Sequence, residues 1–114
     1  MPELWTLGII AYMGIDLRWE NERGEQLGAL GDLGFLVARF LPPLDDRDFH
    51  CLRFVDPAGD TVFNQAQITE VVHELERLAS KRREPRVGAH LRAVLEFVRQ
   101  AAGKTHTYIK FYGD

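Results

Sequence analysis

Four histidines, one cysteine and several close acidic residues carry the atoms that catalysis or metal binding would need in this chain. None of His50, His73, His90 and His106 stands three or four residues from another histidine or from Cys51 within a helical pattern, the spacing that puts two ligands on one helix face. His50 and Cys51 are adjacent in a segment, His50 to Val55, whose alternation predicts a strand. A strand sends neighbouring side chains to opposite faces, so this pair cannot chelate one ion. A cysteine nucleophile also needs a base within hydrogen-bond reach and an electropositive setting, and Cys51 on a core strand reads instead as a buried thiol. Asp45, Asp46 and Asp48 lack the order and the distant glutamate of a helix-loop-helix calcium site, and read as a solvated loop. Asp56 and Asp60 bracket Pro57, Ala58 and Gly59; turns select aspartate there for its backbone hydrogen bonds, ahead of acid/base work. No G-x-S-x-G, glycine-rich phosphate loop or H-E-x-x-H occurs, and Gly28, Gly31 and Gly34 match no nucleotide fingerprint. The expectation is therefore no catalytic residue, no metal and no cofactor, with His73 and His90 partly packed beside the apolar stripes of their helices.

The residues that suggest binding lie at the end of the chain. Thr105 to Tyr112 predicts a strand with Thr107, Ile109 and Phe111 on one face and His106, Tyr108, Lys110 and Tyr112 on the other. If helices cover the Ile109 side, two tyrosines flanking a lysine are presented on the opposite face, where Arg18 or Arg53 of other strands can join them. Tyrosine and arginine are favoured at protein interfaces because both combine large contact area with hydrogen bonding. A second charged feature, Lys81, Arg82 and Arg83 with Arg86, is read as a solvated helix end that complements the helix dipole.

Two consecutive helical patterns must position these faces. Ile68, Val71, Val72, Leu75, Leu78 and Ala79 form one apolar stripe, with Glu70, Glu74, Arg77 and Lys81 assigned to the outer side. Asn64 with Gln67 predicts a capping box. Pro85 predicts that the first helix stops by about Arg83 and that a second begins just after it. Val87, Leu91, Val94, Leu95, Val98 and Ala102 then repeat the pattern up to Gly103, the expected stop. So short a link makes the helices antiparallel neighbours. Ile15, Leu17 and Trp19 alternate with Asp16, Arg18 and Glu20 as a half-buried strand; Asn21 to Gly24 reads as a reversal and Gln26 to Leu30 as the partner strand. Asp32 is expected to cap a short helix running to about Leu41, buried through Leu33, Leu36, Val37, Phe40 and Leu41 and ended by Pro42 and Pro43. Thr61 to Phe63 is a further short strand. Residues 4 to 13 are the most apolar run, too short for a membrane span and without the basic start of a secretory signal; they are either a buried strand or an extension preceding the domain proper.

These elements specify a single α+β domain: a mainly antiparallel sheet of four to six strands, a long antiparallel helical pair packed on one face, and one short extra helix. A chain of 114 residues with 46% hydrophobic and 27% charged residues can bury a core without a disulfide, and a single cysteine suits a reducing cytoplasm. The net charge of −3 argues against nucleic acid or an anionic membrane as partner. The function expected is that of a non-catalytic protein-binding module of the bacterial accessory kind, a toxin-neutralising (immunity-like) or regulatory partner, or one that self-associates through an edge strand. The alternative is a small enzyme or ligand-binding domain with a pocket between sheet and helices, using His106, Tyr108, Arg53 or Asp114 as its polar groups.

Overall fold

The computed structural model describes residues 14–113, so the apolar run 4–13 and Asp114 lie outside the described residues. Strands β1 (Ile15–Asn21), β2 (Gln26–Leu30), β3 (Asp60–Phe63) and β4 (Thr107–Gly113) form one antiparallel sheet in the order β2-β1-β4-β3. Helices α1 (Gln65–Ala79) and α2 (Pro85–Ala101) connect β3 to β4 and pack on each other. This is the α+β architecture that the periodicities specify, with four strands among the described residues.

The β1–β4 register fixes both faces of the sheet. Leu17 stands opposite Phe111 and Trp19 opposite Ile109, while Arg18 stands opposite Lys110, Glu20 opposite Tyr108 and Asp16 opposite Tyr112. The first set faces the helices: Ile15, Leu17, Ile109 and Phe111 are at most 1% exposed and join Ile68, Val71 and Leu75 of α1 and Leu91, Val94 and Val98 of α2 in one continuous cluster. Phe63 of β3 meets Phe111 edge to face at 5.7 Å, a geometry that sets the positive ring edge on the negative ring face.

The helix boundaries follow from local chemistry. Asn64 accepts from the Gln67 amide and the Gln67 side chain accepts from the Asn64 amide, both at 3.0 Å, which completes the capping box. α1 ends at Ala79, four residues before the bound set by Pro85, and Arg83 Nε donates to the Leu78 carbonyl to satisfy one of its terminal acceptors. Pro85 occupies the first turn of α2, where its missing N–H costs nothing, and the Glu84 carboxylate accepts from the Arg86 amide.

Three expectations are corrected. The helix over 32–41 contracts to a single 3-10 turn, Val37–Arg39, because Gly34 and Phe35 both adopt positive φ (+86° and +56°), which breaks right-handed helical geometry. Leu33, expected in the core, is 88% exposed. The strand over 50–55 is a 3-10 turn, Leu52–Phe54; Cys51, Leu52 and Val55 are buried and Phe54 is exposed, so burial does not alternate. Finally Glu74, assigned to the outer side of α1, is fully buried.

Candidate functional site

Two buried carboxylates stiffen the scaffold around the sheet. Glu74 accepts the backbone amides of His50 (2.7 Å), Cys51 (3.1 Å) and Leu52 (2.8 Å). These three donors converge on one side chain instead of entering a strand ladder, which is why 50–55 curls. Asp32 does the same for the earlier part of that β2–β3 connection: it accepts from Ile15 (2.9 Å), Leu36 (2.8 Å) and Val37 (3.2 Å). His90 Nε2 of α2 lies 3.1 Å from Asp32 Oδ1, within ion-pair range, yet off the line that a hydrogen bond requires. Asp32 therefore does not cap a helix as expected: the cap position of the 3-10 turn is Leu36, and the Asp32 carboxylate instead ties the start of β1 to the amides that lead into that turn.

The residues of interest for binding sit on the sheet face that neither helix covers. Glu20 is only 6% exposed, and two neighbours on that face bond to its carboxylate. Lys110 Nζ lies 3.0 Å from Glu20 Oε1 and the Tyr112 hydroxyl donates to Glu20 Oε2 at 3.2 Å. The Arg18 guanidinium lies 4.6 Å from the centroid of the Tyr112 ring and Lys110 Nζ lies 5.9 Å from it, so both cations rest against the same ring. Hydrogen bonding to Glu20, and then to Tyr112, holds the Lys110 ammonium protonated above the ordinary lysine range. Tyr108, Lys110 and Tyr112 are half-buried, and exposed Ala29 of β2 and Val62 of β3 extend the face on either side. The result is an ordered aromatic and cationic platform.

The other predicted site residues do not join it. His106 precedes β4 with φ +54°; its Nδ1 approaches Glu22 at 3.2 Å and its amide donates to Gln65 Oε1. It lines a groove of about 460 Å³ at the start of α1, with Asn64, Gln65, Thr69, Thr107 and Tyr108. Arg53 lies on the 3-10 turn, 4.2 Å over the Phe54 ring and donating to the Leu44 carbonyl, because the strand that was to carry it does not form. His106, Tyr108 and Arg53 therefore do not converge on one pocket between sheet and helices.

Cys51 is buried, and burial, followed by the Glu74 and Glu70 carboxylates, pushes its thiol up to about 11. That environment suppresses the thiolate a nucleophile would need. Asp56 Oδ1 accepts from the Ala58 amide, the turn-forming role expected of it, and Asp46 Oδ1 accepts from the Asp48 amide within the exposed loop. Among the described residues no three His, Cys, Asp or Glu side chains group as a metal site, and no helix is long and apolar enough to cross a membrane.

Neither Glu20 nor Glu74 is singled out in the sequence reading, and only Glu74 has a local signal. Glu74 is three residues after Val71 and four before Leu78, which places it on the apolar stripe. Glu20 becomes central only once the strand register is known. No protein-family model, no curated protein and no solved structure matches this chain.

Proposed function

We propose that this chain is a non-catalytic protein-binding module that receives a partner protein on the β1–β4 face bearing Arg18, Tyr108, Lys110 and Tyr112. The observation that supports it is the anchoring of Tyr112: its hydroxyl is tied to a buried carboxylate while Arg18 and Lys110 rest against its ring. A large amphipathic side chain already fixed in place loses little rotamer entropy on association, which lowers the cost of binding. The remaining chemistry agrees, since the reactive side chains of the sequence serve the scaffold: Cys51 is a suppressed thiol, and Asp32 and Glu74 hold loops. A neutralising or regulatory partner is the role that such a small, rigid binding face suits.

The test places a photo-crosslinking amino acid at Tyr108 or, as control, at exposed Gln100 of α2, in the chain's own host. Capture of one and the same protein from position 108 but not from 100 supports the proposal. Equal capture from both positions, or from 100 alone, refutes it. A second reading, a small-ligand domain, has one observation in its favour, the groove beside His106 and Tyr108. It predicts that His106→Ala abolishes ligand-induced thermal stabilisation while leaving crosslinking from position 108 intact.

A further inference from the structure

At the opposite end of the helical pair from the α1 cap, the link between α1 and α2 forms a concavity of about 250 Å³ lined by Lys81, Arg82, Arg83, Arg92, Gly88 and Leu91, together with Ala79 and Pro85. Four of these eight residues are cations in a chain whose net charge is −3. None of the four pairs with a carboxylate among the described residues, which is also true of the scattered Arg39, Arg47 and Arg86, whereas Arg23, Arg99 and Lys110 do pair and Arg18, Arg53, Arg77 and Lys104 lie over aromatic rings. Cations brought together around one hollow with no carboxylate in its lining repel one another, and an anion relieves that repulsion. A helix dipole accounts for basic residues just past the C-terminal end of α1, such as Lys81 to Arg83, but Arg92 stands in the body of α2, where no such term acts.

Gly88 is the second observation. It lies inside α2, where glycine costs helix stability relative to alanine, and it has negative φ, so no backbone geometry requires it. A Cβ at this position would stand 3.5 Å from Arg92 Nη1 and 4.0 Å from Arg83 Cβ, in the space between the two arginines that line the hollow. The missing side chain keeps the floor of the basic hollow open.

We infer that this hollow is a binding site for a small phosphate-bearing anion with two or more negative charges. Guanidinium forks match phosphate oxygens in pairs, and the volume is below the roughly 300–1,000 Å³ of drug-sized sites, so it fits a compact anion. An extended polyanion is disfavoured because exposed Glu76, Glu84 and Glu96 lie along the same two helices and their link.

The test is calorimetric titration of the full chain with inorganic pyrophosphate at low ionic strength, alongside thermal unfolding. Saturable one-to-one binding that weakens with salt is expected, with the affinity falling at least about tenfold in Arg82→Gln/Arg92→Gln, as loss of two charge-assisted contacts implies. Arg47→Gln, outside the hollow, leaves it unchanged. Gly88→Ala weakens binding while its Tm is no lower than that of the parent, which separates a blocked floor from a damaged fold. Binding by the double variant as tight as by the parent overturns the inference, as does no heat and no Tm shift at about 10 mM pyrophosphate, where a ligand of even millimolar Kd would stabilise the fold. Tighter binding of a single-stranded oligonucleotide, with a salt slope showing many phosphate contacts, also overturns it in favour of a nucleic-acid surface.

Discussion

Replacing Glu74 tests whether one buried carboxylate holds the segment 50–54 against the core. Its oxygens take three backbone amides, at 2.7, 3.1 and 2.8 Å, in a fully buried position on α1. A hydrogen bond to a charged group contributes about 1.5–3 kcal/mol net, and an orphaned buried donor costs about 1–3 kcal/mol. The His50 residue is exposed, so its amide regains water when the carboxylate is removed, whereas Cys51 and Leu52 are buried. Glu74→Ala should therefore cost about 3–4 kcal/mol, less than the sum of three bonds because the turn can reopen. Glu74→Gln keeps one acceptor but turns an NH₂ group toward amide donors, and should cost about 2 kcal/mol. Urea unfolding followed by far-UV circular dichroism measures both, and the Ala variant should lose roughly 10–20 °C in Tm for a domain of this size. A loss below about 1 kcal/mol for Glu74→Ala would refute the claim that these bonds hold the segment.

Asp32→Asn should cost about 2–3 kcal/mol, since it weakens acceptance from three amides at the start of β1 and in the following loop; hydrogen exchange at Leu36 and Val37 should accelerate together. Cys51 should react with a thiol reagent at pH 8 about 100-fold more slowly than a free thiol, because raising its pKa from 9.0 to about 11 cuts the thiolate fraction by that factor. The same shift has a linkage consequence. The folded thiol retains its proton where the unfolded one releases it, so the contribution is fully present below about pH 9 and lost as pH rises toward 11; Cys51→Ala should flatten that part of the stability profile. Tyr112→Phe removes one hydroxyl bond to Glu20 on a half-buried face and should cost no more than about 1 kcal/mol by thermal unfolding, while weakening partner capture.

Legibility in the sequence tracked how local each determinant is. The capping box at Asn64, the proline entry at Pro85 and the alternation in β1 and β4 depend on residues a few positions apart, and each was readable. The segments 32–41 and 50–55 were misread because their backbones are shaped from a distance: the amides of 50–52 answer to a carboxylate 22–24 residues away, and the path after Asp32 is broken by positive φ at Gly34 and Phe35. Alternation correctly put Tyr108, Lys110 and Tyr112 on one face, and the register brought Arg18 beside them. Arg53 fell away with the strand assigned to it. Glu20, the acceptor that orders the platform, could be recognised only from pairing across strands, which a single sequence does not specify.

The most direct measurement is the mass, by light scattering, of the chain purified gently from its own host, compared with that of an Arg18→Ala/Tyr112→Ala variant shown to fold. The proposal predicts a stoichiometric complex with a second protein for the parent and the 13.1 kDa monomer mass for the variant. A parent that runs at its monomer mass, or a complex that survives the double substitution unchanged, would contradict a binding role for this face.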